Sequence, residues 1–128
     1  MKIRGLHHVA VICSDYEKSK HFYTGVLGLE ILAETHRPER GSYKLDLAVP
    51  GGMQIELFSF PAPPVRVSRP EACGLRHLAF AVESVEEEAA GLTAKGVAVE
   101  EIRVDALTGK QFTFFADPDG LPIELYAE

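Results

Sequence analysis

The chain has 128 residues, 46% apolar and 25% charged, which fits one soluble domain with a core large enough to stand without disulfides. Thirteen basic against nineteen acidic side chains leave a net charge of −6, which argues against nucleic acid or an anionic membrane as partner. The opening MKIRGLHHVAV lacks the long apolar segment of a signal peptide and no run is long enough to span a bilayer, so a cytoplasmic protein is expected.

In chain order, the first element is a strand, LHHVAVI, in which Val9 and Val11 share one face and His8 shares the other with Leu6, Ala10 and Ile12. Parity sends His7 to the face opposite His8. Asp15 is an N-cap, and a helix runs from it to about Leu27 with Tyr16, Ser19, Phe22, Tyr23, Val26 and Leu27 on one side; Gly28 is the stop. Strands follow near Glu30–Glu34, Tyr43–Val49 and Met53–Phe60, the last two joined by the turn Pro50-Gly51-Gly52. Between the first pair lies THRPERGSYK, a polar loop whose Arg37 and Arg40 read by default as solvated surface, with a cover over a pocket mouth as the alternative.

Residues 61–73, PAPPVRVSRPEAC, read as an extended proline-rich linker. The order of elements then begins again. A strand LRHLAFAV carries His77; Ser84 caps a helix to about Lys95, with Ser84-x-x-Glu87 as a capping box, and Gly96 ends it. Strands near Val97–Val104, Gln111–Ala116 and Pro122–Tyr126 complete the second half, with Asp117-Pro118-Asp119-Gly120 as a tight turn rather than a phosphate loop.

The two halves are copies. His8 matches His77 at an offset of 69 residues and Glu56 matches Glu124 at 68, so one residue is gained or lost between them. Cap-to-histidine and glycine-to-glutamate spacings agree in both halves, so the difference falls inside the helix. The expected class is α+β, with two tandem βαβββ modules, about 1–60 and 74–128, in a single domain whose curved sheet surrounds a site.

Each copy places a glutamate in an apolar strand, QIELF and PIELY, where an unpartnered carboxylate is costly. Parity puts Glu56 with Phe58 and Glu124 with Tyr126, opposite the Ile and Leu of each strand. Two imidazoles and two carboxylates, His8, Glu56, His77 and Glu124, would converge if the copies are related by pseudo-twofold symmetry. A divalent cation balances the two negative charges, and mixed N/O ligation suits six-coordinate Ni²⁺, Co²⁺, Mn²⁺ or Zn²⁺ with two positions left for substrate oxygens. His21 and His36 read as surface or packing residues, and Cys13 and Cys73 as free thiols in the role of small buried residues. Arginines and lysines scatter along the chain and read as solvated surface. No nucleotide-binding glycine motif occurs.

The stretches HHVAVICSDYEKSKHFYTGVLGLE, MQIELFSF, GLRHLAFAV and FADPDGLPIEL resemble the vicinal oxygen chelate superfamily over the whole chain. That superfamily includes glyoxalase I, ring-cleaving dioxygenases, methylmalonyl-CoA epimerase and the fosfomycin and bleomycin resistance proteins. Most members hold a metal through residues matching His8, His77 and Glu124, and a glutamate at position 56 is the glyoxalase I pattern. RPEACGLRHLAF further resembles the small bacterial glyoxalase-I-like branch typified by YaeR and YwkD. The resemblance implies a lactoylglutathione lyase-like enzyme on a small-molecule substrate, with glutathione or another thiol as co-substrate. It would abstract a proton next to a carbonyl, Glu124 acting as first-choice base and Glu56 on the other face, through a metal-stabilised enediolate. It also implies a homodimer, with each metal held either within one chain or between chains by two ligands from each. The alternatives are an acyl-CoA epimerase, which typically has glutamine at position 56, an Fe(II) dioxygenase, a fosfomycin-type thiol transferase and a metal-free drug-binding resistance protein.

Overall fold

The computed structural model describes all of residues 1–128 and divides the chain into two units, Met1–Pro64 and Val65–Glu128. In the first unit β1 (His8–Cys13) leads to α1 (Tyr16–His21) and then to β2 (Glu30–Arg37), β3 (Ser42–Val49) and β4 (Met53–Ser59). In the second, β5 (Leu78–Val82) leads to α2 (Val85–Ala94), β6 (Arg103–Val104), β7 (Gln111–Ala116) and β8 (Pro122–Ala127). The sheets have the same plan, β1-β4-β3-β2 and β5-β8-β7-β6, with the first strand parallel to the last and the remaining pairs antiparallel. These are the two expected βαβββ modules. No helix is long and apolar enough to cross a membrane.

Period-two alternation decides which faces are buried. In β4 Ile55 and Leu57 are fully buried, as are their β3 register partners Leu47 and Leu45; Gln54, Glu56 and Phe58 lie half-buried on the other side. Strand β8 repeats this with Ile123 and Leu125 inward and Glu124 and Tyr126 on the opposite face. In β1 Val11 and Cys13 are buried while His8, Ala10 and Ile12 stand exposed; in β5 Leu78 is buried and Ala79 and Ala81 are exposed. Burying a large aliphatic side chain is worth about 1.5–3 kcal/mol. Inverting either sheet would exchange that gain for buried carboxylates, so the register is strongly set.

The one-residue difference between the copies has a structural form. Asp15 caps α1, its carboxylate accepting from Lys18 N–H at 3.1 Å, and Ser84 caps α2 by accepting from Glu87 N–H at 3.2 Å. Helix α2 ends in a regular Schellman arrangement, with Val97 N–H donating to Leu92 and Gly96 (φ +82°) in the left-handed position. Helix α1 instead continues through Phe22–Val26 with π-type bonds, Leu27 N–H reaching Phe22. Its closing bond, Leu29 N–H to Tyr23, spans one residue more than its counterpart, ahead of Gly28 (φ +75°). A single π-bulge absorbs one inserted residue without rotating the buried side of the helix, where Tyr16, Ser19, Phe22 and Tyr23 all lie.

Some boundaries differ from those read in the sequence. Strand β2 runs on to Arg37, paired with Ser42, and the polar loop shrinks to one turn at Pro38–Arg40. Arg37 is thereby held, its guanidinium donating to Ser42 Oγ at 3.2 Å and lying 5.1 Å from the Phe58 ring. The strand expected over Val97–Val104 survives only at Arg103–Val104. Upstream of it the Glu100 N–H to Phe114 O bond of 2.8 Å, with Thr113 Oγ1 donating to Glu100 O, takes the place of a ladder. Cys13 is buried as expected, but Cys73 is exposed, because the segment preceding β5 lies at the surface. The Asp117–Gly120 turn is held by its own chain, Asp117 Oδ1 accepting from Asp119 and Leu121 N–H at 2.9 Å each.

Candidate metal centre

Each unit brings one histidine and one glutamate together. The parallel pairing of β1 with β4 puts Ala10 opposite Glu56, and that of β5 with β8 puts Ala79 opposite Glu124. A methyl group opposite each carboxylate leaves room for the imidazole two residues earlier to reach it diagonally. His8 Nε2 stands 3.7 Å from Glu56 Oε2, and His77 Nε2 stands 3.1 Å from Glu124 Oε2. The carboxylates are the more enclosed members, 15% and 13% exposed against 41% and 28% for the histidines. Protein N and O ligands sit about 2.1 Å from a first-row ion, so two adjacent donors are roughly 3 Å apart. The His77–Glu124 pair matches that spacing and the His8–Glu56 pair is slightly wider.

Within neither unit do three or more His, Cys, Asp or Glu side chains gather closely enough to hold a metal ion. One imidazole and one carboxylate supply two donors where an ion needs four or more, so a single pair does not complete a metal site.

The settings of the two pairs differ in ways that residue identity alone did not reveal. In the first unit Asp46 is the register partner of Glu56, a like-charge juxtaposition on adjacent strands. Lys44 resolves it, its ammonium 2.5 Å from Asp46 Oδ1 and 3.1 Å from Glu56 Oε1. The hydrogen bond to Asp46, and after it that to Glu56, holds the Lys44 ammonium above the usual lysine range. In the second unit the corresponding positions are aromatic: Phe114 pairs with Glu124 and Phe112 with Tyr126. Glu124 has no lysine or arginine within ion-pair distance and meets only His77, whose ring packs edge-on against Phe114 at 5.2 Å. Lys44 and Asp46 could have been found from parity on β3, which places them on the glutamate face; scattered charges hid them.

The histidines are also oriented differently. His7 precedes β1, though its carbonyl already accepts from Gln54 N–H of β4 at 3.1 Å. The His7 and His8 Nδ1 atoms lie 2.9 Å apart with the rings edge-on, leaving His8 Nε2 directed at Glu56. His7 thus touches the ring of a prospective ligand, a contact that parity did not anticipate. His77 Nδ1 is buried with no hydrogen-bond partner, so Nε2 is the nitrogen presented to Glu124. Of the aromatic residues expected on the glutamate faces, Phe58 lies beneath Arg37 and Lys44. Tyr126 ties down the β6–β7 loop, its hydroxyl 2.5 Å from Thr108 Oγ1 and 3.0 Å from Asp105 Oδ2.

Comparison with known proteins places the chain in a group. Residues 5–125 match the family described as Glyoxalase/Bleomycin resistance protein/Dioxygenase superfamily. The chain is 59% identical to YwkD of Bacillus subtilis, with all of both chains covered. A structure described as a glyoxalase family protein from Enterococcus faecalis superposes with a TM-score of 0.91 at 51% identity, covering 98% of this chain and 99% of that one. A more distant relative is the 2-epi-5-epi-valiolone epimerase of an Actinomyces species, 30% identical over 94% of this chain and 77% of its own.

Proposed function

The chain belongs to the Glyoxalase/Bleomycin resistance protein/Dioxygenase superfamily, and from that premise we propose that it is a metal-dependent, glyoxalase I-like lyase or isomerase of the cytoplasm. It abstracts a proton from a carbon next to a carbonyl and returns it to the neighbouring carbon. The observation that carries this reading is the matched pairing of an imidazole Nε2 with a half-buried carboxylate in each unit, at 3.7 and 3.1 Å. Two such pairs, His8 with Glu56 and His77 with Glu124, hold one divalent ion, Ni²⁺, Co²⁺, Mn²⁺ or Zn²⁺, and their two carboxylates match its charge. When bound, the metal supplies a positive charge that polarises the substrate's oxygens and removes several kcal/mol from the barrier to proton loss.

The remaining chemistry lies with the protein's side chains. Glu124 is the base: no lysine or arginine pairs with it, and phenylalanine rings take the places that Lys44 and Asp46 occupy around Glu56. A carboxylate accepts the proton as a carboxylic acid and gives it back one carbon along, so the reaction balances without oxidant or reductant. Glu56, its charge shared with Lys44, serves the other face of the substrate. With methylglyoxal and a thiol such as glutathione, this transfer turns a hemithioacetal into a thioester. The Actinomyces relative is named an epimerase; epimerisation changes the configuration at one carbon, whereas the transfer proposed here moves a proton between two. Glutamate at position 56, rather than the glutamine expected of an acyl-CoA epimerase, favours the glyoxalase-like reading.

The deciding experiment is deuterium exchange. Incubated in deuterated water with a panel of hemithioacetals and acyl-CoA thioesters, the metal-loaded protein is expected to incorporate deuterium at the carbon next to the carbonyl, read by NMR. Absence of exchange from every member, with metal fully bound, would falsify the proton-transfer reading in favour of thiol transfer or simple binding. The protein is also proposed to be a homodimer in which each chain gives two ligands to each metal. Light scattering at micromolar concentration should return twice the 14.0 kDa chain mass; a monomer at full metal occupancy would rule the shared site out.

A further inference from the structure

The second unit contains a cavity of about 520 Å³, within the range of small-molecule sites, with His77 and Phe114 in its wall. Four arginines line it, Arg66, Arg69, Arg76 and Arg103, against two glutamates, Glu71 and Glu100. In a chain of net charge −6 this is a concave surface of the opposite sign. Six of its sixteen lining residues come from the segment expected to be a linker. Arg66 donates through Nε to Ser68 Oγ at 2.9 Å and through one terminal nitrogen to the carbonyls of Leu75 and Arg76 at 2.6 and 2.9 Å. Ser68 Oγ in turn donates to Gly120 O at 3.3 Å, fastening the segment to the turn before β8.

The four guanidinium groups are not equivalent. Arg66 is committed to holding the segment. Arg103 is paired with Glu100 at 2.9 Å and lies over the Phe112 and Phe114 rings at 4.9 and 5.7 Å. Arg69 meets only Glu71, at 3.9 Å, and its side chain is 85% exposed. The Arg76 guanidinium makes no ion pair, hydrogen bond or ring contact, although it lines the cavity and directly precedes His77. A planar fork of donors without an internal acceptor, beside a prospective metal ligand and framed by a second loosely held arginine, is suited to a planar or tetrahedral oxyanion.

We infer that this cavity is an anion subsite in which Arg76, assisted by Arg69, binds a carboxylate or phosphate group of the substrate beside His77. The inference rests on the proposed role of His77 and adds the substrate's chemical class: the reacting molecule carries an oxyanion away from the carbon that loses its proton. A neutral substrate leaves the Arg76 guanidinium without a counter-charge in the site.

The test uses the full chain, once stripped of metal and once loaded, titrated with inorganic phosphate and with malonate at constant ionic strength. Backbone amide and arginine side-chain NMR signals are followed. Saturable shifts centred on Arg76, His77 and residues 66–76 are expected in the metal-free protein. Arg76→Gln should weaken binding at least tenfold and Arg69→Gln about threefold, while Lys18→Gln, which removes the same charge from α1, should leave it unchanged. Tighter phosphate assigns a phosphate ester, and tighter malonate assigns a carboxylate. Shifts that never saturate, or that Lys18→Gln weakens as much as Arg76→Gln, overturn the subsite. Because the decisive titration is made without metal and without turnover, its failure is separate from a failure of the deuterium-exchange experiment.

Discussion

Glu124→Gln, assayed at saturating metal, is expected to lose turnover by roughly 100- to 10,000-fold, the range of a positioned general base. The amide keeps the side chain's shape and one oxygen donor, and it cannot take up a proton at neutral pH. Glu56→Gln should cost less, because Glu56 already shares Lys44 with Asp46. Full metal titrations of both variants separate lost chemistry from lost affinity: in Glu124→Gln the deficit persists at the plateau. If activity returns to wild-type levels once metal saturates, Glu124 is a ligand only and the base must be sought elsewhere.

Removal of the metal should abolish activity altogether, and its return should restore activity unequally among ions. The stripped protein is expected to recover more turnover with Ni²⁺, Co²⁺ or Mn²⁺ than with Zn²⁺, since mixed N/O ligation with two open positions favours six-coordination. His77→Ala removes a donor outright. Loss of an outer-shell partner typically costs about 10- to 100-fold in metal affinity, so losing a ligand should exceed 100-fold. Elemental analysis after dialysis should find near-stoichiometric metal in the wild type and almost none in His77→Ala. Retention of one ion per chain by that variant would dismantle the ligand assignment, whereas a preference for Zn²⁺ would contradict only the glyoxalase-like choice of metal.

The local pattern carried much of the fold. Alternation in QIELF and PIELY determined which side of β4 and β8 is buried, because exchanging the faces would bury carboxylates and expose Ile and Leu. The caps at Asp15 and Ser84 and the glycines at 28 and 96 bounded the helices, since these are requirements of backbone hydrogen bonding within a few residues. Internal repetition located the histidine and the glutamate of each pair. Parity did not reveal that the His7 ring meets the His8 ring, their Nδ1 atoms 2.9 Å apart, because alternation says nothing of contacts between neighbours in the chain. The strand read at Val97–Val104 shrank to two residues for a related reason, since alternation records a preference for two faces and not whether a neighbouring strand is in register.

By itself, then, the sequence determined the repeated βαβββ order, the buried faces and the presence of one histidine and one glutamate per repeat, all consequences of short-range periodicity. It also revealed that one copy has an extra residue in its helix. Only the tertiary structure decided that this residue becomes a π-bulge, since absorbing it depends on which side chains must remain buried. It likewise decided that Lys44 and Asp46 surround Glu56 while phenylalanines surround Glu124, because strand register fixes cross-strand neighbours. Arginines separated by as many as 37 positions share one cavity for the same kind of reason: Arg66 binds carbonyls nine and ten residues away and draws a proline-rich segment onto the second unit. Charges that look scattered along a chain acquire a common function only when long-range hydrogen bonds bring their backbones together.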